Sequence, residues 1–308
     1  MNTKGIEMKK ICTVSDFMML EKPEEYDVKK QTGNELYGKV NNALERYILY
    51  KSTTCKGSVY PQMDLHIKEK AIMFGLTDID CDTAPLIKQI YHQLWKDAIL
   101  HKTSSMIDGE HGETMTSMQT MLNELVKQVE PPKSGKVSKR NCTYLYFSNP
   151  NFIANLEASS SIGAFAEKLH TIGNFLPVPP GFNVARAHHD YWDLTMVKLK
   201  QWYLEPQSEK QAAILEQLLN SDKAVIENCW NWLSWCGKGK HGLDGWRSFL
   251  EVNKLQDFVY GDEAEPIMFC GHSWDRRTNK DDLDEIFTKC SKLIHKRSIR
   301  MVKALKGE

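Results

Sequence analysis

The sequence predicts a mainly α fold with a small β element, an α+β arrangement in which helices dominate. Three observations carry this. Apolar residues recur at three- and four-residue spacing through most of the chain, strand-like runs are few and short, and no internal repeat is visible. At 308 residues the chain has room for one large domain or two modest ones. A break near residue 140 would separate an N-terminal helical region with a hairpin (1–140) from a mainly helical region (141–308) carrying the site. One compact domain is the alternative.

The first helical stripe is Leu36, Val40, Ala43, Leu44, Tyr47 and Ile48. A weak hairpin signal follows at Ser58–Phe74. Leu86, Ile87, Ile90, Tyr91, Leu94 and Trp95 form the second stripe, with Pro85 in its first turn and Asp82 or Thr83 placed to cap it. Lys102–Thr116, polar and glycine-containing, reads as a connection. Met118, Met121, Leu122, Leu125, Val126 and Val129 form a third stripe, ended by Pro131 and Pro132. Glu130–Arg140, with Pro, Ser, Gly and several bases, is the best candidate linker. The best strands are Thr143–Phe147 and a short stretch around Asn174–Val178. Four helices are expected between Asp190 and Phe258, and a long one from about Lys280 to Leu305.

Composition narrows the class of protein. The chain is 41% hydrophobic and 26% charged, an ordinary globular balance. Lysine plus arginine equals aspartate plus glutamate at 40 each, so any electrostatic recognition must come from local patches. No apolar run approaches the roughly eighteen residues of a membrane span. The first twenty residues hold no sustained apolar segment, which argues against a secretory signal. Cys12, Cys55, Cys81, Cys142, Cys229, Cys236, Cys270 and Cys290 are dispersed, unlike a disulfide scaffold. The expectation is a soluble cytoplasmic protein with reduced thiols and no membrane partner.

The densest polar segment is Leu169–Tyr203. Asn174, Asn183, Arg186, His189, Asp190 and Asp193 crowd a proline- and glycine-punctuated loop that runs into a helix. His189 and Asp193 are four apart, so on a helix they share a face and suit two ligands of one divalent metal. Arg186 offers a planar fork for phosphate or carboxylate. The structural reading is equally concrete: Asp190 caps the helix, Asp193 complements its dipole, and the asparagines satisfy loop backbone.

Arg297 is the second anomaly. It falls on the apolar stripe of the last helix, with Leu283, Ile286, Phe287, Cys290, Leu293, Ile294 and Met301. A guanidinium there must be paired, because burying an unpaired charge costs several kcal/mol. Asp190, Asp193 or a bound anion are the candidate partners, and a structural salt bridge is the simplest form. The same helix carries acids at its start and Lys289, Lys292, Lys296, Arg300 and Lys303 along one side. That is a solvated face in the dipole-favoured order, or a nucleic-acid ridge.

Other signals are weaker. Cys229, Cys236, His241, Cys270 and His272 are zinc-capable, but C-x6-C, C-x4-H and C-x-H match no tight zinc module. Cys229 and Cys236, seven apart, have core spacing. Trp230, Trp232, Trp235 and Trp246 could stack on bases, but packing is the commoner use. Gly237-Lys238-Gly239-Lys240 superficially suggests a phosphate loop without the strand–loop–helix context, and the SSSIGAF run offers serines without an evident base. No nucleotide, zinc-protease or hydrolase motif is present.

The blocks DIDCDTAPLIKQIYHQLW (78–95), TIGNFLPVPPGFN (171–183), DYWDLTMVKLK (190–200) and HKRSIR (295–300) carry a resemblance. Together they resemble an uncharacterised bacterial family with a D-x-D…YHxLW segment, a later IGNFxPxP…N…R…DxxDLT segment and an arginine-rich C-terminal helix. The resemblance covers roughly Asp78 to Arg300 and implies polar positions at Asp80, Asp82, His92, Trp95, Asn174, Asn183, Arg186, Asp190, Asp193 and Arg297. It implies no activity. The chain departs from the pattern after Trp95, reading KDAILHK where the family continues with Ser-Lys and a Pro-Asn-Gly turn.

More distantly, HTIGNFLPVP…FN is similar to the GN-L-T-L-L segment that follows the catalytic motif of HNH-type restriction nucleases. The D-H-I-x-P motif itself is missing upstream. That likeness implies at most a related scaffold in a phage-defence context.

Two functional expectations stand. In one, the protein is an effector acting on nucleic acid or a nucleotide. His189, Asp190 and Asp193 then bind a divalent metal or move protons, while Asn174, Asn183, Arg186, Arg297, Asp80, Asp82 and His92 hold substrate. In the other, it is a non-enzymatic binding or interaction protein whose polar cluster fixes the fold.

Overall fold

The computed structural model describes residues 11, 13–28, 85–96, 115–118, 160–186, 192–220, 223–269 and 280–308. Within them the chain is mainly helical with small antiparallel strand pairs, the predicted α+β class. Several expected features lie outside the described residues: the 36–48 stripe, the 58–74 hairpin, the 121–129 stripe, the 130–140 linker and the 143–147 strand.

The described elements in order are α1 (Val14–Met18), α2 (Pro85–Leu94), β1 (Met115–Ser117), α3 (Ser160–Leu169), a 3-10 turn (Ile172–Asn174) and β2 (Phe175–Pro177). There follow α4 (Phe182–Ala185), α5 (Trp192–Leu204), α6 (Ser208–Leu218), α7 (Lys223–Cys236), α8 (Gly242–Val252), β3 (Val259–Tyr260), β4 (Glu265–Pro266) and α9 (Lys280–Lys306). The four helices expected between 190 and 258 are α5 to α8. The long last helix is α9.

Sequence periodicity explains α2 directly. Leu86, Ile87, Ile90, Tyr91 and Trp95 are all buried, as one amphipathic face requires. The α9 stripe behaves the same way, burying Ile286, Phe287, Cys290, Ile294, Met301 and Val302. At 1.5 Å per residue, α9 is about 40 Å long. It is the strut on which α3, α2, the 172–174 turn and the Pro23–Glu25 turn pack. The α3 helix, whose serines looked isolated in sequence, turns Ile162, Phe165, Ala166 and Leu169 inward, with the Phe165 ring 4.8 Å from that of Phe287.

Helices α5, α7 and α8 share an aromatic core built from Trp202, Tyr203, Trp232, Trp246 and Phe249. Trp246 stacks on Phe249 at 5.4 Å, Trp232 meets Phe249 edge-on at 5.3 Å, and Tyr203 donates to the Leu233 carbonyl at 2.5 Å. The tryptophans that could have served as base-stacking platforms are thus largely core: Trp232 and Trp246 are wholly buried, Trp230 and Trp235 partly. The Gly237–Lys240 run is the α7–α8 turn, with Lys238 and Gly239 at positive φ. It follows a helix, so it has no phosphate-loop geometry.

One sequence expectation changes. Met115–Ser117, placed at the end of a connection and just before a helical stripe, is a strand paired antiparallel with β2, Thr116 opposite Leu176. Its ladder is extended by the Met118 amide, which donates to the Asn174 carbonyl at 2.8 Å. Three residues carry too little periodicity to be seen alone; the partner strand supplies the hydrogen bonds that define them. The β3–β4 pair was likewise not expected. It is a tight hairpin with Gly261 and Ala264 at positive φ, held to α8 by Trp246, whose indole N–H donates to the Ala264 carbonyl.

Lys200 on α5 pins this hairpin. Its ammonium lies 2.6 Å from Glu265, and the lysine is buried although the glutamate is not. No helix among the described residues is long and apolar enough to cross a membrane.

Candidate functional site

Among the described residues, Arg297 and Asn174 belong to one polar cluster, and Arg186 and Asp193 to another.

Arg297 is wholly buried. Its Nε donates to the Asn253 carbonyl at 3.1 Å, and one Nη2 hydrogen goes to the same carbonyl at 2.9 Å. Nη1 donates to the carbonyls of Gly173 and Phe175, at 2.7 and 2.8 Å. The remaining Nη2 hydrogen meets the Tyr91 hydroxyl at 3.0 Å. A guanidinium has five N–H donors, and all five are used. The expected acid partner, Asp193 or Asp190, is replaced by main-chain oxygen.

Physical reason for this choice lies in helix ends. Asn253 is the C-cap of α8, where unpaired carbonyls concentrate the negative end of the helix dipole. Charge-assisted bonds to such carbonyls stabilise a buried cation without a second buried ion to desolvate. Tyr91 completes the set by donating its own proton to the Phe175 carbonyl. Burial pushes its phenol above the ordinary value, with Arg297 pulling the other way.

The IGN turn is shaped by the same helix. The Gly173 amide donates to Ser298 Oγ at 2.9 Å, and Ser298 reaches Thr171 Oγ1 at 3.2 Å. A Cβ on Gly173 would lie 2.1 Å from the Ile294 carbonyl oxygen and 2.7 Å from the Ser298 amide nitrogen. Only glycine lets the turn approach α9 this closely. Asn174 is buried too, its side-chain amide donating to the Leu169 carbonyl at 2.8 Å and so closing the end of α3.

The second cluster surrounds the start of α5. Gly181, at φ 79°, turns the chain after Pro179 and Pro180, which leads into α4. Arg186 follows, buried, its guanidinium 4.9 Å from the Trp192 ring centre and 5.9 Å from that of Phe182. Such faces attract a cation by their ring quadrupole. Its Nη1 also donates to Thr195 Oγ1 at 3.2 Å. Asp193, in the first turn of α5, is buried and accepts from the amides of Leu194 at 2.9 Å and Phe269 at 2.8 Å. It thereby holds the segment after β4 against α5. Asn183 is half-buried on α4 and His92 half-buried on α2. Asp80, Asp82, His189 and Asp190 lie outside the described residues.

Sequence reading missed Tyr91, Asn253, Gly173 and Ser298, all of which touch or frame Arg297. Tyr91 looked like one more apolar stripe residue, and its hydroxyl gave no signal of a partner far along the chain. Asn253 and Gly173 act through backbone atoms, which every residue type has. The glycine in IGN was the one legible hint.

No group of three or more metal-binding side chains is assembled among the described residues. Cys229 and Cys236 are buried on α7, as core spacing suggests. Burial drives both thiols well above their ordinary range, each cysteine's neighbours adjusting this only secondarily.

Fold and site together define a mainly helical protein with a buried arginine–carbonyl centre. No protein-family model matches this chain, and neither the curated proteins nor the solved structures contain a match.

Proposed function

We propose that the protein is a non-enzymatic binding protein whose polar cluster around Arg297 and Asn174 fixes the fold. The observation that carries this reading is the saturation of Arg297. All five of its donors are spent on Gly173, Phe175, Asn253 and Tyr91, so gripping a phosphate would cost the bonds that join α9, α2, α8 and β2. Asn174 is engaged in the same way by the end of α3.

Thermal melting tests it. Arg297→Gln and Asn174→Ala are expected to lower the melting temperature strongly. Full stability in both variants would count against an architectural role.

A second reading keeps the enzyme, a phage-defence-type effector acting on nucleic acid or a nucleotide. It is favoured by one observation: Arg186 and Asp193, which flank His189 and Asp190 in the sequence, are both buried near the start of α5. There Arg186 would hold phosphate, and Asp193 with His189 and Asp190 would bind a divalent metal or move protons. Mg²⁺- or Mn²⁺-dependent cleavage of RNA, DNA or nucleotides, lost in a folded Asp193→Asn variant, would establish it and displace the first reading. No turnover leaves the binding protein standing.

A further inference from the structure

The solvent face of α9 carries a feature that its packing does not require. Lys289, Lys292, Lys296, Lys303 and Lys306 are all exposed, while the opposite face is core. With Arg300 they fall within one arc of about 120° at 100° per residue. Lys289 is neutralised by Glu285 at 2.5 Å, and Arg300 by Asp257 at 2.8 Å. For Lys292, Lys296, Lys303 and Lys306 the described residues offer no carboxylate within 4.0 Å.

Helix electrostatics account for only part of this. The dipole favours bases in the last turn, which covers Lys303 and Lys306. Lys292 and Lys296 lie well before it. They form a like-charge i,i+4 pair, which weakens a helix by about 0.2–0.5 kcal/mol where an opposite charge would strengthen it. Stability alone would place glutamate at one of them.

We infer that this stripe binds the phosphate backbone of a nucleic acid, without reading its bases. The inference rests on the reading of the protein as a binding protein and names its partner. Lysine supplies point charges suited to a repeating phosphate array, and the four free ones span about 21 Å of rigid helix. A protein partner would call for aromatic or apolar anchors in the face. Stable seating on a membrane would call for an inserted apolar face or a lipid chain beside the bases, since a basic patch alone is drawn to it only weakly. The exposed large apolar residues among those described are Met19, Val184, Leu204 and Tyr260, none of them on α9.

The test is fluorescence anisotropy of the full chain with labelled single-stranded RNA, single-stranded DNA and duplex DNA across a salt series, with phosphatidylserine vesicles as a separate arm. Four neutralised phosphates give a slope of log K against log salt of about −3.6 for duplex and about −2.8 for single strands. Binding to duplex should then fall roughly a hundredfold between about 50 and 200 mM salt. Replacing Lys292, Lys296, Lys303 and Lys306 together by Gln should abolish it. Should that variant not fold, Lys292→Gln/Lys296→Gln and Lys303→Gln/Lys306→Gln are read separately, each expected to halve the slope.

No binding at the lowest salt, binding unchanged in the variants, or binding to vesicles alone would overturn the inference while leaving the architectural role of Arg297 intact. Metal-dependent cleavage of the bound strand, lost in Asp193→Asn but retained by the lysine variants, would instead overturn the non-enzymatic reading.

Discussion

The Tyr91 hydroxyl stands between Arg297 and the Phe175 carbonyl, accepting a hydrogen bond from the guanidinium and donating one to the main chain. One phenol oxygen thus connects α2, α9 and β2, segments far apart in sequence. Because every donor of Arg297 is used, the residue is a cross-brace whose removal strands several buried carbonyls at once.

Arg297→Gln should therefore cost several kcal/mol, because each buried carbonyl left without a donor costs about 1–3 kcal/mol. Tyr91→Phe should cost about 1–3 kcal/mol, leaving one guanidinium hydrogen without an acceptor. Urea denaturation of the two single variants and the double variant checks this. The coupling should be non-additive by about 0.5–3 kcal/mol, since both variants break the same network.

Two glycines should respond oppositely to alanine. At Gly173 the new Cβ would meet α9 backbone, so Gly173→Ala should destabilise by at least about 1–3 kcal/mol and could block folding. Gly163, inside α3, has nothing within 4 Å of the position its Cβ would take. There alanine should stabilise by about 0.5–1 kcal/mol through helix propensity. Paired melting curves decide it, and equal effects at both sites would refute the close-approach argument.

The buried thiols should be chemically silent. Burial holds Cys229 and Cys236 far above the ordinary thiol range, so almost no thiolate is present at neutral pH. Alkylation followed by mass spectrometry should label them only at the rate of unfolding, and promptly in denaturant. Fast labelling of the native protein would show that α7 opens locally.

Acid should weaken the fold in two steps. Burial, helped by Lys168, depresses the His295 imidazole, while Glu25 and Glu24 pull the other way. The folded protein then binds this proton less readily than the unfolded chain does. The contribution is complete above the unfolded value of about 6.5 and is lost as pH falls below it. For Glu25, burial raises the carboxyl, but the charge and hydrogen bond of Lys168, with Lys22 and His295, bring it below its ordinary value. That contribution is present above about pH 4.3 and disappears as the pH drops further. Urea midpoints at about pH 7.5 and about pH 5.5 should differ in the wild type and differ less in His295→Gln.

Sequence alone determined the mainly helical class, the burial of Arg297 and the amphipathic faces of α2 and α9. It also determined the four helices between α4 and the β3–β4 hairpin, because each is a local pattern of side-chain character with a period of its own. It located the Asn174–Asp193 segment as dense in polar groups. What it could not give was their partners. Arg297 looked as if it must meet an acid, and only the tertiary structure showed it meeting the buried carbonyls of a helix end and a turn. Those acceptors are backbone atoms, present at every residue and made available only by where a helix stops. The strand at Met115–Ser117 was hidden for the same reason: three residues become a strand when a distant segment supplies the hydrogen bonds. Tertiary structure divided one apparent polar cluster into two, with the arginine–carbonyl brace on one side and Arg186 with Asp193 on the other.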